Sequence, residues 1–401
     1  MDRYPPYWTD PTEGSFDVFI EDVKMDGEKY QVILREDVIR PAGGGQAGDR
    51  GILRVKDRAV SIEDTIIESG RTTLIVESQL SKESEASLEI DMAWRRAMMR
   101  NHTSEHLFVS IMKKRYPDLE VGDLWIDGEH GTVELLNIQA SFENIFAAES
   151  EVQAFIDSSV VVKTEFVEAD KIDPVTRARE GVTSKHDVLR VVRVGDLDSS
   201  ACSGIHVGST DQIDFFKVID VKHEDAGTRI EFVSGERAIR ETKEVYNSVL
   251  QRKSTYPFEM EQVGAVLDGA KTATDDRPKL IERIGKLISS GVSAERVGDV
   301  LFRHEYLPGF TSKDLKNLAN SLAFEENSVL FLFSPGQKAQ VIFRTYSTAH
   351  DAAYYISEAV KKYGGRGGGS KENFTGGFTD AADSDDLYKM LVSAVRENLN
   401  Q

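Results

Sequence analysis

Alternate positions of the opening segment carry the apolar side chains: Phe16, Val18 and Ile20 in "FDVFIED", then Tyr30, Val32 and Leu34 beyond an Asp26-Gly27 turn. Successive side chains on a pleated strand face opposite sides, so a period of two interrupted by Asp-Gly predicts a β-hairpin with one buried face. The runs "GILRV", "AVSIEDTII" and "TTLIVE" extend the pattern to Glu77. A small antiparallel barrel or sandwich is predicted for about the first 80 residues.

The period changes at Leu88. From there to Tyr116 neither Gly nor Pro interrupts "LEIDMAWRRAMMRNHTSEHLFVSIMKKRY", and Asp91 stands where an N-cap belongs, which predicts one long helix over Met92 to Arg115. Strand-like "TVELLNI", the amphipathic "ENIFAAESEVQAFID" and the strands "SVVVKTEFV", "VLRVVRV", "IDFFKVIDV" and "TRIEFVS" follow. This alternation predicts an α+β architecture for residues 90–235. From Gly235 to His304 the pattern is helical and heavily charged, clearest in "GERAIRETKEVYNSVLQRK" and "RPKLIERIGKLIS", as in a spacer or a dimer contact. The remainder is mixed again: helices at "SKDLKNLANSLA" and "DAAYYISEAVKKY", strands at "SVLFLFS" and "AQVIFRTY", a glycine-rich "GGRGGGSKENFTGGF" and a closing helix.

Composition narrows the classes. With 40% hydrophobic and 29% charged residues the chain is a folded protein rather than a disordered one, and 401 residues allow two or three domains. No apolar run is long enough to span a membrane, and "MDRYPPYWTD" lacks the basic and apolar regions of a secretory leader, so a cytoplasmic protein is expected. A net charge of −19 argues against gripping nucleic acid over the whole surface, because phosphate binding draws on Lys and Arg. DNA and membranes are not expected partners, and any RNA contact would be local. The acidity also suits solubility or a saline cytoplasm. The single cysteine, Cys202, forbids an intramolecular disulfide and points to a reducing compartment.

Candidate chemistry begins at "RNHTSEHLF". His102 and His106, four apart, share one helix face and can point two nitrogens at one ion. His-x-x-Glu-His is also the pattern of the inverted zinc peptidases, in which the glutamate serves as general base. Almost a hundred residues later, "SSACSGIHVGST" places Cys202 four before His206, after a predicted strand. Three imidazoles and a thiolate make a mixed nitrogen and sulfur set that zinc accepts in tetrahedral geometry. The second half is Cys-x-x-x-His rather than a peptidase glutamate, which makes Glu105 a solvated residue or one behind the ligands.

"HTSEH" followed by "CSGIH", and preceded by "RPAGGGQAGDRG", resembles the editing domain of alanyl-tRNA synthetase and its free-standing AlaX relatives. "YWTDPTEGSFDVFIEDV" and "TRIEFVSGERA" look similar to that domain's flanks, and "GGRGGGSKENFTGGF" resembles the signature of the synthetase's C-terminal, DHH-associated domain. The chain departs from the pattern at Ala47, where the glycine motif has proline, at Ser203 in the second motif, and in "EVGDLWIDGEHGTVEL", which lacks an expected glutamine-bearing segment.

The resemblance implies an α+β fold: an N-terminal antiparallel β-barrel with a glycine-rich loop over 1–90, a zinc-binding editing domain over 91–240, a helical linker or dimerisation segment over 241–308, and a C-terminal α/β glycine-rich, DHH-associated tRNA-binding domain over 309–401. It implies a zinc cofactor held by His102, His106, Cys202 and His206, with Thr103, His102 and His106 as catalytic candidates and Thr103 reading the serine hydroxyl. It implies hydrolysis in trans of alanine-specific tRNA mischarged with serine or glycine, by a homodimer, with the charging core absent and an ATP-binding association through the synthetase family. Gly43, Gly44, Gly45 and Gln46 would line the editing site, and Lys361, Lys362, Arg366 and Lys371 would contact RNA from the tail. Four protein ligands normally close a zinc site, so the ion would either open its coordination to activate water, or hold the substrate amine or the local fold. The alternatives are a non-catalytic tRNA-binding protein with structural zinc, editing of another mischarged tRNA, and a zinc peptidase.

Overall fold

The computed structural model describes residues 4–177, 187–290, 294–324, 327–336, 338–346, 351–379 and 383–400. The chain divides into two compact units, 1–255 and 256–401.

The first unit opens with six antiparallel strands, β1 (Ser15–Asp26), β2 (Lys29–Leu34), β3 (Gly51–Val55), β4 (Arg58–Glu68), β5 (Arg71–Val76) and β6 (Ser84–Ile90). They close in the order β1-β2-β5-β4-β3-β6, which settles the choice between barrel and sandwich. Alternate residues point inward: Val18 and Ile20, Val32 and Leu34, Leu53 and Val55, Val60 and Ile62, Leu74 and Val76 form one apolar core. β6 was not expected as a strand, although Ala86, Leu88 and Ile90 alternate inward. It pairs with both β1 and β3 and so shuts the barrel.

A long helix, Met92–Arg115, leaves the barrel directly. Asp91 caps it by accepting hydrogen bonds from the Ala93 and Trp94 amides at 3.0 Å, and Lys113, Lys114 and Arg115 occupy the last turn, where the helix dipole favours cations. This helix shares an apolar core with the helix Phe142–Asp157 and with a sheet of β7 (Glu120–Ile126), β8 (Gly131–Leu136), β12 (Phe216–Glu224) and β13 (Gly227–Ser234), ordered β12-β13-β8-β7. Phe108, Ile145, Val152, Ile230 and Phe232 meet in it, all fully buried. A second sheet, ordered β11-β10-β9, is built from β9 (Val162–Glu168), β10 (Val188–Val194) and β11 (Asp198–Ala201). The helix Gly235–Arg252 ends the unit.

In the second unit the helix Val263–Ser289 runs through Pro278. Beyond it the expectation of a helical segment to 308 is corrected: β14 (Ala294–Val297) and β15 (Val300–Tyr306) are strands. They belong to a six-stranded sheet with β16 (Ser328–Ser334), β17 (Gln340–Thr345), β18 (Arg366–Gly369) and β19 (Asn373–Gly377), ordered β14-β15-β16-β17-β19-β18. Only β15 and β16 run parallel, and the fully buried β16 supplies both faces of the core with "SVLFLFS". The short period-two signal of "VLFRHEY", with Val300, Phe302 and Arg303 buried, is submerged among charges. The glycine-rich stretch is likewise a paired element, with Arg366–Gly369 forming an exposed edge strand against Asn373–Gly377.

Candidate metal centre

His102 and His106 project from the middle of the long helix, and Cys202 and His206 from the loop that follows β11. The four ligand atoms lie within 4.8 Å of one another. His102 Nε2 is 3.5 Å and His206 Nε2 3.4 Å from Cys202 Sγ. The three imidazole rings stand 4.5 to 5.2 Å apart, centroid to centroid, and each is buried. Three buried imidazoles around a thiol do not assemble for packing alone, since each brings a polar nitrogen that needs a partner.

Groups behind the ligands fix their orientation. Asp198 Oδ2 stands 2.7 Å from His106 Nδ1, and its two oxygens also accept from Ser110 Oγ at 2.6 Å and Ser200 Oγ at 2.9 Å. A carboxylate on the far ring nitrogen is the arrangement that leaves Nε2 for a metal. Thr103 does the corresponding work at His206. Its hydroxyl donates to the Met99 carbonyl at 2.9 Å, accepts from the Val207 amide at 3.2 Å and lies 3.2 Å from His206 Nδ1. Those bonds use its one donor and both lone pairs. Thr103 is fully buried, so the expectation that it reads a serine hydroxyl meets a hydroxyl already engaged in holding His206.

Electrostatics favour at Cys202 and His206 the protonation states a divalent cation requires, whereas His106 would have to release a proton to bind one. Burial alone would push the Cys202 thiol up, but the facing His102 and His206 hold it well below its usual range. Burial pushes His206 well below the ordinary imidazole value, with His102 acting in the same direction. Burial opposes charging His106 as well, yet Asp198 outweighs it and raises the group to about 10. The result is a thiolate facing a neutral imidazole, with the remaining positive charge held against a carboxylate.

Glu105 is not solvated. It is buried, its Oε2 lies 3.8 Å from His106 Nε2, and its Oε1 accepts from Arg177 Nη1 at 3.2 Å. Arg177 also donates from Nε to Ser200 Oγ at 2.9 Å and approaches Asp198 at 3.7 Å.

The glycine-rich loop reaches the cluster from the barrel. Gly44 and Gly45 adopt positive φ of 65° and 83°, a turn that only glycine makes without strain, and a Cβ on Gly44 would strike Ser203 Oγ at 2.8 Å. Arg40, buried beneath the loop, donates to the carbonyls of Pro41, Gly43 and Ala47. Gln46 Oε1 accepts from the Ile205 amide at 3.1 Å. Its amide nitrogen is buried with no partner among the described residues, as is His102 Nδ1. Both side chains lie against Gly204, where a Cβ would come within 2.2 Å of His102 Nδ1 and 2.8 Å of Gln46 Oε1. Gly204 is therefore required by the His102 ring packed on it. Gly43 bridges to Gln46 at the base of the turn.

Lys361, Lys362, Arg366 and Lys371 lie in the second unit, all exposed at the end of the helix Ala352–Lys362 and along the β18–β19 hairpin. Several residues that hold the cluster or its loop were not identified from sequence. Asp198 carried a visible signal, being a carboxylate four before Cys202 in "DLDSSAC". Arg177, Arg190 and Trp8 carried none, because their partners lie 12 to 195 residues away with no periodicity linking them.

Comparison with known proteins agrees with this geometry. The model of the threonyl and alanyl tRNA synthetase second additional domain matches residues 189–236, a span that contains Cys202 and His206. The alanyl-tRNA editing protein AlaX-L of Pyrococcus horikoshii is 28% identical over 409 residues, covering 98% of both chains. The alanine–tRNA ligase of Methanococcoides burtonii is 24% identical and that of Ruegeria sp. 25%. These matches take in 98% and 97% of this chain but only 44% and 48% of the ligases, so the chain spans less than half of their length. The crystal structure of the C-Ala domain from Aquifex aeolicus alanyl-tRNA synthetase matches 27% of this chain and 98% of its own at 25% identity, with a TM-score of 0.25 that adds nothing to the fold. Among the described residues no helix is long and apolar enough to cross a membrane. With AlaX-L aligned over 98% of both chains and the matched domain containing Cys202 and His206, two of the four candidate ligands, this chain is homologous along its length to AlaX-L, an alanyl-tRNA editing protein.

Proposed function

We propose that this protein is a zinc-dependent aminoacyl-tRNA deacylase of the cytoplasm that hydrolyses the ester of alanine-specific tRNA mischarged with serine or glycine. The observation that carries the reading is the cluster of buried His102, His106 and His206 around the half-buried Cys202, backed by Asp198 and Thr103 and met by the glycine-rich loop. The activity of its relative AlaX-L, alanyl-tRNA editing, supports the choice of substrate. When bound, zinc supplies a Lewis acid that polarises a carbonyl and lowers the pKa of water.

The chain's own residues do the rest. Asp198 holds the proton on His106 Nδ1 and Thr103 the proton on His206 Nδ1, which would leave Nε2 of both rings to hold the ion. Gln46 brings a buried, unpaired N–H to the rim, a donor suited to a carbonyl oxygen that develops negative charge. Glu105 and Arg177 close the side beside His106 and keep bulk water from that face. The Lys361, Lys362, Arg366 and Lys371 group gives an acidic chain a local positive surface for the tRNA backbone. Exposed Leu267, Leu280 and Leu287 on the helix Val263–Ser289 support pairing of two copies. The ATP-binding association of the synthetase family plays no part in this reading.

The test presents purified protein with seryl-, glycyl- and alanyl-tRNA specific for alanine and follows ester loss, with Cys202→Ala as control. Rapid loss of the seryl and glycyl esters by the unmodified protein alone is the expected result. Equal inactivity of both proteins would sink the deacylase and favour a tRNA-binding protein with structural zinc. Loss of alanyl-tRNA at the same rate as seryl-tRNA would remove the proofreading role.

A further inference from the structure

The loop that carries Cys202 and His206 is held by an aromatic residue from the N-terminal segment. Trp8 donates its indole N–H to the Ser203 carbonyl at 2.9 Å. Phe166, paired with Arg190 across β9 and β10, has its ring centroid 6.2 Å from that of Trp8. Tyr4 lies flat on Phe166, 3.5 Å between centroids and 5° between planes. The Arg190 guanidinium stands 6.0 Å from the Trp8 ring and donates to the carbonyls of Cys202 and Gly204 at 2.9 and 2.6 Å. Tyr4, Trp8 and Phe166 are none of them buried, although three adjoining aromatic rings are side chains a fold ordinarily spends on its core. A row of partly exposed rings that starts at a reactive loop has the form of a stacking surface.

We propose that Tyr4, Phe166 and Trp8 form the platform on which the 3′-terminal nucleobase of the RNA stacks while its ribose ester faces the metal centre. The inference rests on the deacylase reading for the identity of the RNA. Its physical basis is separate. The ester to be cleaved hangs from the terminal ribose, so the base attached to that ribose must come to rest beside the metal loop, and Trp8 is bonded to that loop. Aromatic rings take any base by its π-face, and the two fused rings of adenine cover more of the platform than a pyrimidine. Arg190 fixes the loop from beneath, so platform and ligands keep one spacing. Trp8 reaches the loop through the Ser203 backbone carbonyl, and neither Phe166→Leu nor Tyr4→Ala removes that bond, which makes the platform separable from the metal by mutation.

The experiment uses the full chain and the trinucleotide cytidine-cytidine-2-aminopurine, whose fluorescence falls when the last base stacks. Quenching on titration with the unmodified protein is expected. Phe166→Leu, which keeps an apolar side chain beside Trp8 but has no ring face, and Tyr4→Ala should each weaken binding about tenfold, while Phe166→Tyr binds as the parent does. Zinc content and thermal midpoint of each variant show whether the fold has held. On seryl-tRNA Phe166→Leu and Tyr4→Ala should raise KM and leave kcat unchanged, while Phe166→Tyr keeps the parent's KM. Equal affinity of Phe166→Leu and the parent, absence of quenching by the parent, or equal competition by a trinucleotide with an abasic 3′ residue would overturn the platform. A chain that binds the probe through these rings yet leaves seryl-tRNA intact would instead remove the deacylase reading and keep the platform.

Discussion

At the residue scale Thr103 separates two accounts of how the site discriminates. Its hydroxyl is saturated by Met99, Val207 and His206, and a saturated hydroxyl has nothing left for a substrate. Thr103→Val removes the bond to His206 Nδ1 at nearly constant volume, so zinc affinity and deacylation should fall together by roughly ten- to a hundredfold, as when other groups behind metal ligands are removed. Thr103→Ser, which retains the hydroxyl, should restore most of the activity. The loss in Thr103→Val should be the same for seryl- and glycyl-tRNA, since glycine has no hydroxyl to be read. A variant that lost only the seryl activity and kept its zinc would return Thr103 to the role of serine reader.

At the scale of elements, the barrel and the metal helix are joined by a buried ion pair. Arg95, in the first turns of the long helix, donates from Nε to Asp49 Oδ1 at 3.0 Å and from Nη2 to Asp49 Oδ2 at 2.5 Å, and both residues are fully buried. Asp49 also accepts from the Arg40 amide at 2.8 Å, and Arg95 reaches the Glu13 carbonyl at 2.9 Å. One carboxylate thus sets the glycine-rich loop, the N-terminal segment and the helix relative to one another. Arg95→Met fills the volume but strands the Asp49 charge, and should cost about 3–5 kcal/mol. Urea denaturation read by circular dichroism checks this; a change below 1 kcal/mol would mean that water enters and solvates Asp49. Local signals explain why most of the elements were legible in the sequence: Asp91 capping a run without Gly or Pro, alternation in "FDVFIED", and "SVLFLFS" as an uninterrupted apolar strand. β6, β7, β11, β14 and β15 were missed because each is short or crowded with charge, and their strand state is decided by the neighbour they pair with. The four ligands were legible as two spaced pairs. The Asp49–Arg95 pair and the Trp8 contact were not, since partners 46 and 195 residues apart leave no periodicity.

For the whole molecule, the metal reading assigns zinc to one unit only. Ligands that bind the folded state and not the unfolded one stabilise it by mass action, in proportion to the logarithm of their concentration over Kd. Here all four candidate ligands lie between His102 and His206, while β15, β16, β17 and β19 in the second unit surround a core of their own built on Phe302, Phe331, Phe333 and Phe343. Chelation of the full chain should therefore raise amide hydrogen exchange in residues 92–115 and 198–207 by tenfold or more and leave 328–345 protected, because three imidazoles and a thiol without a metal are buried polar groups short of partners. Added zinc should reverse the change, and the Asp198→Asn variant should need more zinc to do so, since an amide holds the His106 Nδ1 proton less firmly than a carboxylate. Exchange that is unaltered by chelation would show that the cluster is held by its own hydrogen bonds, and equal loosening of 328–345 would show that the metal stabilises the whole chain rather than the unit whose loop and helix it joins.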